Sequence, residues 1–222
     1  MYYDLCLNYD FSFQNLEKFQ VISELITSAI CDGYRILALN INKKGNLNNN
    51  DIAKDLNLDI KNIFNSFSIK FLNSSSENLN FFDFEDIKIL KRITIEINDN
   101  KELHQFSYSS PSLKSYDILA ISPKNEKMFE LACNDINVDI ITINFDEKMN
   151  FYLKKSLIQS AVKKNIFFEI IYNGFIVDNS KRVIFISNVL MLLEITKGKN
   201  LIISSGADNF IDHRSPYDII TM

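Results

Sequence analysis

The chain has 222 residues, of which 46% are hydrophobic, and it carries a formal net charge of −4 at pH 7. This length suits a single domain, no segment reaches the ~18 uninterrupted apolar residues of a membrane-spanning helix, and the N-terminus lacks the basic start and apolar stretch of a signal peptide. We therefore expect an intracellular protein without a membrane segment.

The first predicted elements alternate between strand and helix. Residues 2–7 read as a short strand, and residues 14–31 place apolar side chains at helical spacing before the stop signal Asp32-Gly33. Residues 34–41 are a short apolar run typical of a strand buried on both faces. In residues 42–86, Asn runs at 48–50 and Ser runs at 74–76 indicate loops, and short helices are predicted at 51–56 and 60–67. We interpret 42–86 as a surface insertion in a single domain spanning 1–222.

Five further strands and three helices follow. The strands are predicted at 87–97, 116–121, 138–143, 166–172 and 201–204, and the helices at 126–136, 154–164 and 180–197. Seven strands alternating with helices indicate a parallel sheet with helices outside. The sequence contains neither Gly-x-Gly-x-x-Gly nor Gly-x-x-x-x-Gly-Lys. The pattern itself leaves two folds open, a doubly wound sheet and a closed barrel of the TIM type.

Charge is unevenly distributed along these elements. Residues 1–150 contain 15 basic and 22 acidic side chains, whereas residues 151–222 contain 9 basic and 6 acidic side chains. A net acidic chain does not indicate nucleic-acid binding by itself. A more basic C-terminal third is nevertheless what an RNA-binding face would produce, because Lys and Arg there release counterions from phosphate.

The sequence offers little catalytic machinery. It has only two histidines, His104 and His213, so a histidine-rich metal cluster cannot be built, although Asp and Glu alone can hold metals for phosphate hydrolysis. Ser204-Ser205-Gly206 lacks the Gly-x-Ser-x-Gly elbow. We interpret His213 as an exposed loop residue. We interpret Glu169, a carboxylate in a predicted strand, as part of a structural ion pair with a strand-end Lys or Arg. We predict no catalytic residue and no metal site.

The cysteines point to free thiols. Cys6, Cys31 and Cys133 are odd in number, far apart in sequence and without a Cys-x-x-Cys pair, so neither a disulfide framework nor a zinc site is favoured. We expect three buried thiols, because free Cys behaves as a small hydrophobic residue.

Several segments in the second half carry a resemblance to a known family. They are Tyr116-Asp117-Ile118-Leu119-Ala120-Ile121, Val138-Asp139-Ile140-Ile141, Phe151-Tyr152-Leu153-Lys154-Lys155, Phe167-Phe168-Glu169-Ile170, Lys197-Gly198-Lys199-Asn200-Leu201-Ile202-Ile203 and Arg214-Ser215-Pro216-Tyr217-Asp218. In this order and spacing the chain resembles the thirty-kilodalton protein subunit family of ribonuclease P and ribonuclease MRP. Weaker similarity extends to residues 3–5, 29–40 and 88–95.

The resemblance implies an α/β fold, a TIM-like barrel of about seven strands related to the barrel of the polymerase and histidinol phosphatase superfamily. The first strand of those enzymes carries His-x-His, whereas the comparable stretch here is Asp4-Leu5-Cys6. Family members usually continue past the Arg-x-Pro-Tyr-Asp segment through a further helix, whereas four residues follow Asp218 here. We therefore expect a barrel shortened at its C-terminus, with closure of the seam in question and exposed apolar residues there serving a partner.

The resemblance also implies a non-catalytic role in a ribonucleoprotein. The holoenzyme removes the 5′ leader from precursor tRNA, and the RNA holds the catalytic magnesium, so no cofactor is expected on the protein. The implied partners are ribonuclease P RNA, possibly MRP RNA, a small protein subunit of the same complex and, indirectly, precursor tRNA. The implied location is the nucleus and the nucleolus. Two alternatives stay open: a metal-dependent phosphoesterase of the related superfamily, and a protein-binding barrel that touches no RNA.

Eight cations are candidates for phosphate contacts, which position an RNA without reading its sequence. They are Arg92, Lys124, Lys154, Lys155, Arg182, Lys197, Lys199 and Arg214. Lys197-Gly198-Lys199 has two interpretations. Helix capping is favoured by physics alone, because Gly permits a left-handed helix stop and Lys complements the helix dipole. The resemblance favours contact with phosphate.

Overall fold

The computed structural model describes residues 1–9, 16–45, 47, 86–102 and 111–221. Its strands are β1 (Tyr2–Asn8), β2 (Tyr34–Lys44), β3 (Lys88–Ile97), β4 (Ile118–Pro123), β5 (Ile140–Thr142), β6 (Phe167–Ile171) and β7 (Leu201–Ser204). The helices of the described residues are α1 (Leu16–Cys31), α2 (Pro111–Lys114), α3 (Glu126–Asn134), α4 (Lys155–Lys163), α5 (Asn173–Val177), α6 (Arg182–Thr196) and α7 (Pro216–Thr221), with a 3₁₀ turn at Phe210–Asp212.

The seven strands form one sheet whose order follows the chain from β1 to β7. Each neighbouring pair is parallel. A doubly wound sheet would reverse its strand order at a switch point, and this order has no reversal. The sequential order is that of a TIM-like barrel, so the barrel prediction is confirmed.

The seam between β1 and β7, whose closure the short C-terminus puts in question, is bridged at one point. Leu7 and Ala207 form a parallel bridge. The Asn8 amide donates to the Ala207 carbonyl, and the Gly206 amide donates to the Cys6 carbonyl, both at 2.9 Å. Residues just after β7 therefore join β1 to the end of β7 in a nearly closed barrel.

The predicted boundaries agree with the structure to within a few residues. The largest difference in a strand is β2, which continues to Lys44, so residues 42–44 of the predicted insertion belong to the barrel. Residues 48–85 and the two short helices predicted there lie outside the described residues. The short helices α2, α5 and α7 were not predicted, because four to six residues are too few to show a helical period.

Apolar faces of the helices pack against the outside of the barrel. On α1 the buried face consists of Ile22, Leu25, Ile26, Ala29 and Ile30, which pack with residues of β1 and β2.

Cys6 and Cys133 are buried as expected, but Cys31, the last residue of α1, is exposed. Burial raises the pKa of Cys133 to about 12. In the described part of the chain, no helix is long and apolar enough to cross a membrane.

Candidate functional site

The barrel interior changes character along the strand direction. Side chains alternate between the two faces of a strand, so every second residue points inward. The amino half of the interior holds Ala120, Ile140 and Ile202, with Leu5 and Ile118 packed against them. The carboxyl half is polar, and the two halves meet at an ion pair.

This ion pair joins Arg92 of β3 to Glu169 of β6. Its two nitrogen–oxygen distances are 2.5 Å and 2.6 Å, and both side chains are 0% exposed. Arg92 also donates to the Leu5 carbonyl and to the hydroxyls of Thr94 and Thr142. Burial alone would lower the pKa of Arg92, but the negative charge of Glu169 outweighs burial and raises it. The pair ties opposite walls of the barrel together.

The ion pair confirms one prediction and corrects another. Glu169 is in a structural ion pair as predicted, although its cation lies within a strand rather than at a strand end. The prediction that Arg92 contacts phosphate is wrong, because its guanidinium is fully buried and bonded to protein acceptors. Sequence pattern did not reveal that this cation faces the interior.

An open cavity of about 460 Å³ lies beyond the ion pair, at the carboxyl end of the strands. Each strand contributes two lining residues at a spacing of two, in the strand or just after it. These pairs are Cys6 and Asn8, Asn40 and Asn42, Thr94 and Glu96, Ser122 and Lys124, Thr142 and Asn144, Ile171 and Asn173, and Gly206 and Asp208. TIM-type barrels carry their active sites at this end. We call this space the mouth cavity.

Amide side chains form a bonded network on one wall of the mouth cavity. Asn40 Nδ2 lies 3.2 Å from Asn8 Oδ1 and 3.1 Å from Asn42 Oδ1, and donates to both. Asn42 Nδ2 donates to Asn8 Oδ1, and the Thr94 hydroxyl donates to Asn40 Oδ1 at 2.6 Å. Our reading of the sequence missed this network. The pattern that could have revealed it is Asn40 and Asn42, two residues apart at the end of an otherwise apolar predicted strand.

The described residues do not form a metal centre. Among them, no three His, Cys, Asp or Glu side chains come together in an arrangement that could hold a metal ion. His104 lies outside the described residues. The lining of the mouth cavity offers hydrogen bonding and charge, supplied mainly by amides and carboxylates.

His213 is buried, which corrects the prediction of an exposed loop residue. Its Nε2 lies 3.4 Å from Asp4 Oδ2, its Nδ1 lies 3.2 Å from Asp32 Oδ2, and its ring packs edge-on against Tyr34. Burial would lower the pKa of His213, but the two carboxylates outweigh burial and raise it. Burial would raise the pKa of Asp4, but contact with His213 lowers it. This cluster anchors the segment after β7 to β1 and to the end of α1.

Three candidate cations lie at the carboxyl end of the barrel, near the starts of the helices that follow the strands. Lys124 Nζ is 3.3 Å from Glu96, and Lys154 Nζ is 2.7 Å from Glu126. Lys155 is exposed at the start of α4. Two of these three ammonium groups are therefore already neutralised by carboxylates of the protein.

The candidate arginines Arg182 and Arg214 both donate hydrogen bonds to backbone carbonyls. Arg182, at the start of α6, donates to the Phe175 carbonyl at 2.8 Å and lies over the Phe175 ring. Arg214 donates to the carbonyls of Ile211 and His213 at 2.6 Å and 2.7 Å. These guanidinium groups hold local turns, and part of their donor capacity is used in doing so.

Lys197 and Lys199 lie at the opposite, amino end of the barrel, between the end of α6 and the start of β7. Lys163, the last residue of α4, and Lys164, which follows it, lie at the same end, because the helices run antiparallel to the strands. All four are exposed, and none forms an ion pair with a carboxylate of the described residues. We call them the amino-end lysines. The structure thus divides the predicted cations between two ends of the barrel.

Sequence comparison identifies relatives of this chain. The family model described as RNase P subunit p30 matches residues 1–222. Ribonuclease P protein subunit p30 of Mus musculus is 39% identical over 136 residues, which are 61% of this chain and 51% of that protein. Probable ribonuclease P protein subunit 3 of Schizosaccharomyces pombe is 30% identical over 193 residues, 86% of this chain and 70% of that protein. Ribonuclease P/MRP protein subunit RPP1 of Saccharomyces cerevisiae is 27% identical over 150 residues, 66% and 50% of the two chains.

Structure comparison agrees on the fold. A chain in the cryo-EM structure of archaeal ribonuclease P with mature tRNA aligns with a TM-score of 0.59 at 14% identity, covering 98% of this chain and 80% of that one. This chain spans about half the length of the mouse and budding yeast relatives. Because the family model matches from the first residue to the last, the chain belongs to the RNase P subunit p30 family.

Proposed function

We propose that this chain is a non-catalytic protein subunit of the ribonuclease P ribonucleoprotein, and of ribonuclease MRP, and that it supports the RNA that removes the 5′ leader from precursor tRNA. The family match over residues 1–222 carries the proposal. The names of the mouse and budding yeast relatives support ribonuclease P and MRP respectively. Magnesium acts at the RNA of the holoenzyme, and the protein holds no cofactor of its own.

The amino-end lysines are the surface that we assign to phosphate contacts. They come from two neighbouring strand–helix units, they are exposed, and they form no ion pair with described carboxylates. Lys124 and Lys154 at the other end are each held by a carboxylate, which reduces the charge that they offer to a phosphate. Several exposed lysines on one surface, none in an ion pair with a described carboxylate, also explain how a net acidic chain can bind RNA.

A protein partner in the same complex would bind at the β1–β7 seam. Tyr3 of β1 and Ile203 of β7 are 48% and 47% exposed on these adjacent strands. Tyr217 and Ile220 of α7 add further exposed apolar surface, and the Tyr217 ring contacts Tyr2 at the edge of β1. Apolar side chains grouped in this way suit an interface. We place the complex in the nucleus, including the nucleolus.

The test is purification of the tagged full chain from its native cell, with sequencing of the bound RNA and a cleavage assay on precursor tRNA. One or two structured non-coding RNAs together with 5′-leader cleavage would support the proposal. Magnesium-dependent hydrolysis of a phosphate ester by the chain alone would replace it with the phosphoesterase alternative. Protein partners recovered without RNA, and without cleavage, would replace it with the protein-binding barrel.

A further inference from the structure

The mouth cavity contains acceptor atoms that no described residue satisfies. Asn173 Oδ1 is buried without a partner among the described residues, although its Nδ2 donates to the Gly206 carbonyl at 3.2 Å. The half-buried Asp146 carboxylate accepts no hydrogen bond from a described residue, while its backbone amide donates to Asn144. Burial raises the pKa of Asp146, and Lys181 offsets this in part. Buried acceptors without donors are unfavourable, so a bound group that donates to these atoms would be stabilised.

Both acceptors belong to the same part of the cavity wall. Asn173 and Gly174 are neighbours at the start of α5, and both line the mouth cavity together with Asp146. A Cβ atom at Gly174 would overlap the Asp146 carboxylate, so that carboxylate rests directly on the Gly174 backbone. The glycine therefore allows Asp146 to sit beside Asn173.

The charge around the cavity is mainly negative. Arg92, which lies below the lining residues, directs its N–H groups to Glu169, Leu5, Thr94 and Thr142 and not into the cavity. The lining also contains four carboxylates but two ammonium groups, and one of these, Lys124, is paired with Glu96. The cavity thus has little to offer a phosphate and an excess of acceptors and negative charge.

We propose that the mouth cavity binds a small organic cation of the alkylammonium or guanidinium class, with Asp146 as its counter-ion and Asn173 Oδ1 as a second acceptor. Both classes bring several N–H donors and positive charge to the atoms that need them. The cavity volume of about 460 Å³ is within the usual range for small-molecule sites, roughly 300–1,000 Å³. The proposal stands on the cavity alone and does not depend on the RNA role.

Calorimetric titration of the purified full chain at low ionic strength tests the site with three probes. Putrescine presents ammonium groups, agmatine presents a guanidinium as well, and N-acetylarginine amide presents a guanidinium as a protein side chain would. We expect saturable one-to-one binding of at least one probe and none of inorganic phosphate. Binding of the arginine amide alone would assign the cation to a protein side chain, and binding of the diamines would assign it to a free metabolite.

Three variants locate the binding. Asp146→Asn should weaken it about tenfold or more, because the bound cation loses its charged acceptor. Gly174→Ala should weaken it without any change in net charge, because the new methyl group displaces the carboxylate. Asp135→Asn is the matched control: it removes one exposed carboxylate just after α3, and binding should be unchanged.

Two results would overturn the proposal. One is the absence of saturable binding by every probe to a chain that unfolds cooperatively. The other is equal loss of affinity in Asp146→Asn and Asp135→Asn, which would reduce the effect to general attraction of cations by an acidic protein. Thermal unfolding of each variant with and without probe shows whether the chain is folded, so a misfolded variant is not mistaken for a weak binder.

Discussion

At the carboxyl end of the barrel the interior is open and lined by amides and carboxylates, whereas at the amino end it is closed by Ala120, Ile140 and Ile202. The exposed cations differ as well. Lys124 and Lys154 at the carboxyl end are paired with carboxylates, and the amino-end lysines are not paired with any described carboxylate. Apart from the exposed Lys155, the candidate lysines at the end where barrel enzymes do chemistry are therefore less available to an anionic partner than the amino-end lysines.

One buried ion pair separates the two halves of the interior. We expect its disruption to change the stability of the fold more than any other substitution considered below. Arg92→Ala would leave Glu169 charged and unpaired in the barrel, and removal of one partner of a buried pair costs about 3–5 kcal/mol of stability. Urea unfolding of the wild type and the variant measures this decrease.

The control for this prediction replaces both partners. Arg92→Met combined with Glu169→Leu should recover most of the missing stability, because apolar side chains of similar volume avoid the desolvation penalty of the pair. If Arg92→Ala alone is nearly neutral, Glu169 is not held as a buried charge and the division of the interior is not due to this pair.

The cluster around His213 predicts a pH dependence of stability. The raised pKa of His213 gives stability that is fully present below its unfolded value, 6.5, and is lost as the pH rises through the folded value. The lowered pKa of Asp4 gives stability that is present above its unfolded value, 3.8, and is lost as the pH falls through the folded value. The cluster therefore contributes most between these two pH values, and unfolding in urea from below pH 3.8 to above pH 6.5 shows the decline on each side.

Substitution of His213 tests the assignment. His213→Ala should lose about 1–3 kcal/mol near pH 6, because it leaves buried Asp4 without this partner, and it should remove the decline of stability above pH 6.5. His104→Gln is the matched control, since it removes the other histidine of the chain and should leave that decline in place. A decline that persists in His213→Ala would show that another group titrates.

Sequence reasoning succeeded where local pattern determines the outcome. The seven strands and their helices follow apolar periodicity, and their parallel order follows from alternation with helices. Pattern could not decide which polar residues face inward. Arg92 and His213 were placed at the surface, because pairing with Glu169 and Asp4 depends on contacts between residues 77 and more than 200 positions apart. The mouth cavity was missed for the same reason, since it gathers two residues from each of seven strands.

The contrast in surface cations predicts an effect on RNA association. Lys197→Ala combined with Lys199→Ala should leave stability within about 0.5 kcal/mol, as for surface changes. It should weaken association with the RNA and reduce the slope of log K against log salt by about 1 for each phosphate that the variant no longer neutralises. Binding of the complex's RNA over several salt concentrations measures the slope.

Lys154→Ala combined with Lys155→Ala is the matched control from the carboxyl end. It removes the same charge from the start of α4 and should change the salt slope less. Equal slopes for both double variants would mean that RNA does not distinguish the two ends. Association by Lys197→Ala/Lys199→Ala that is unchanged at every salt concentration would remove the amino-end lysines from the RNA surface.

The smallest effect separates the two interpretations of Lys197. Lys197 itself is the left-handed C-cap of α6, with φ 54° and ψ 37°, and Gly198 also has a positive φ. A left-handed conformation is unfavourable for a residue with a Cβ atom, so Lys197→Gly should raise stability by roughly 0.5–1 kcal/mol. Lys163→Gly should lower it by about the same amount, because Lys163 is the last helical residue of α4.

If Lys197→Gly stabilises the chain and still weakens RNA association, the lysine is retained for its charge at the expense of the cap. If it stabilises the chain and leaves association unchanged, Lys197 makes no phosphate contact that matters for binding.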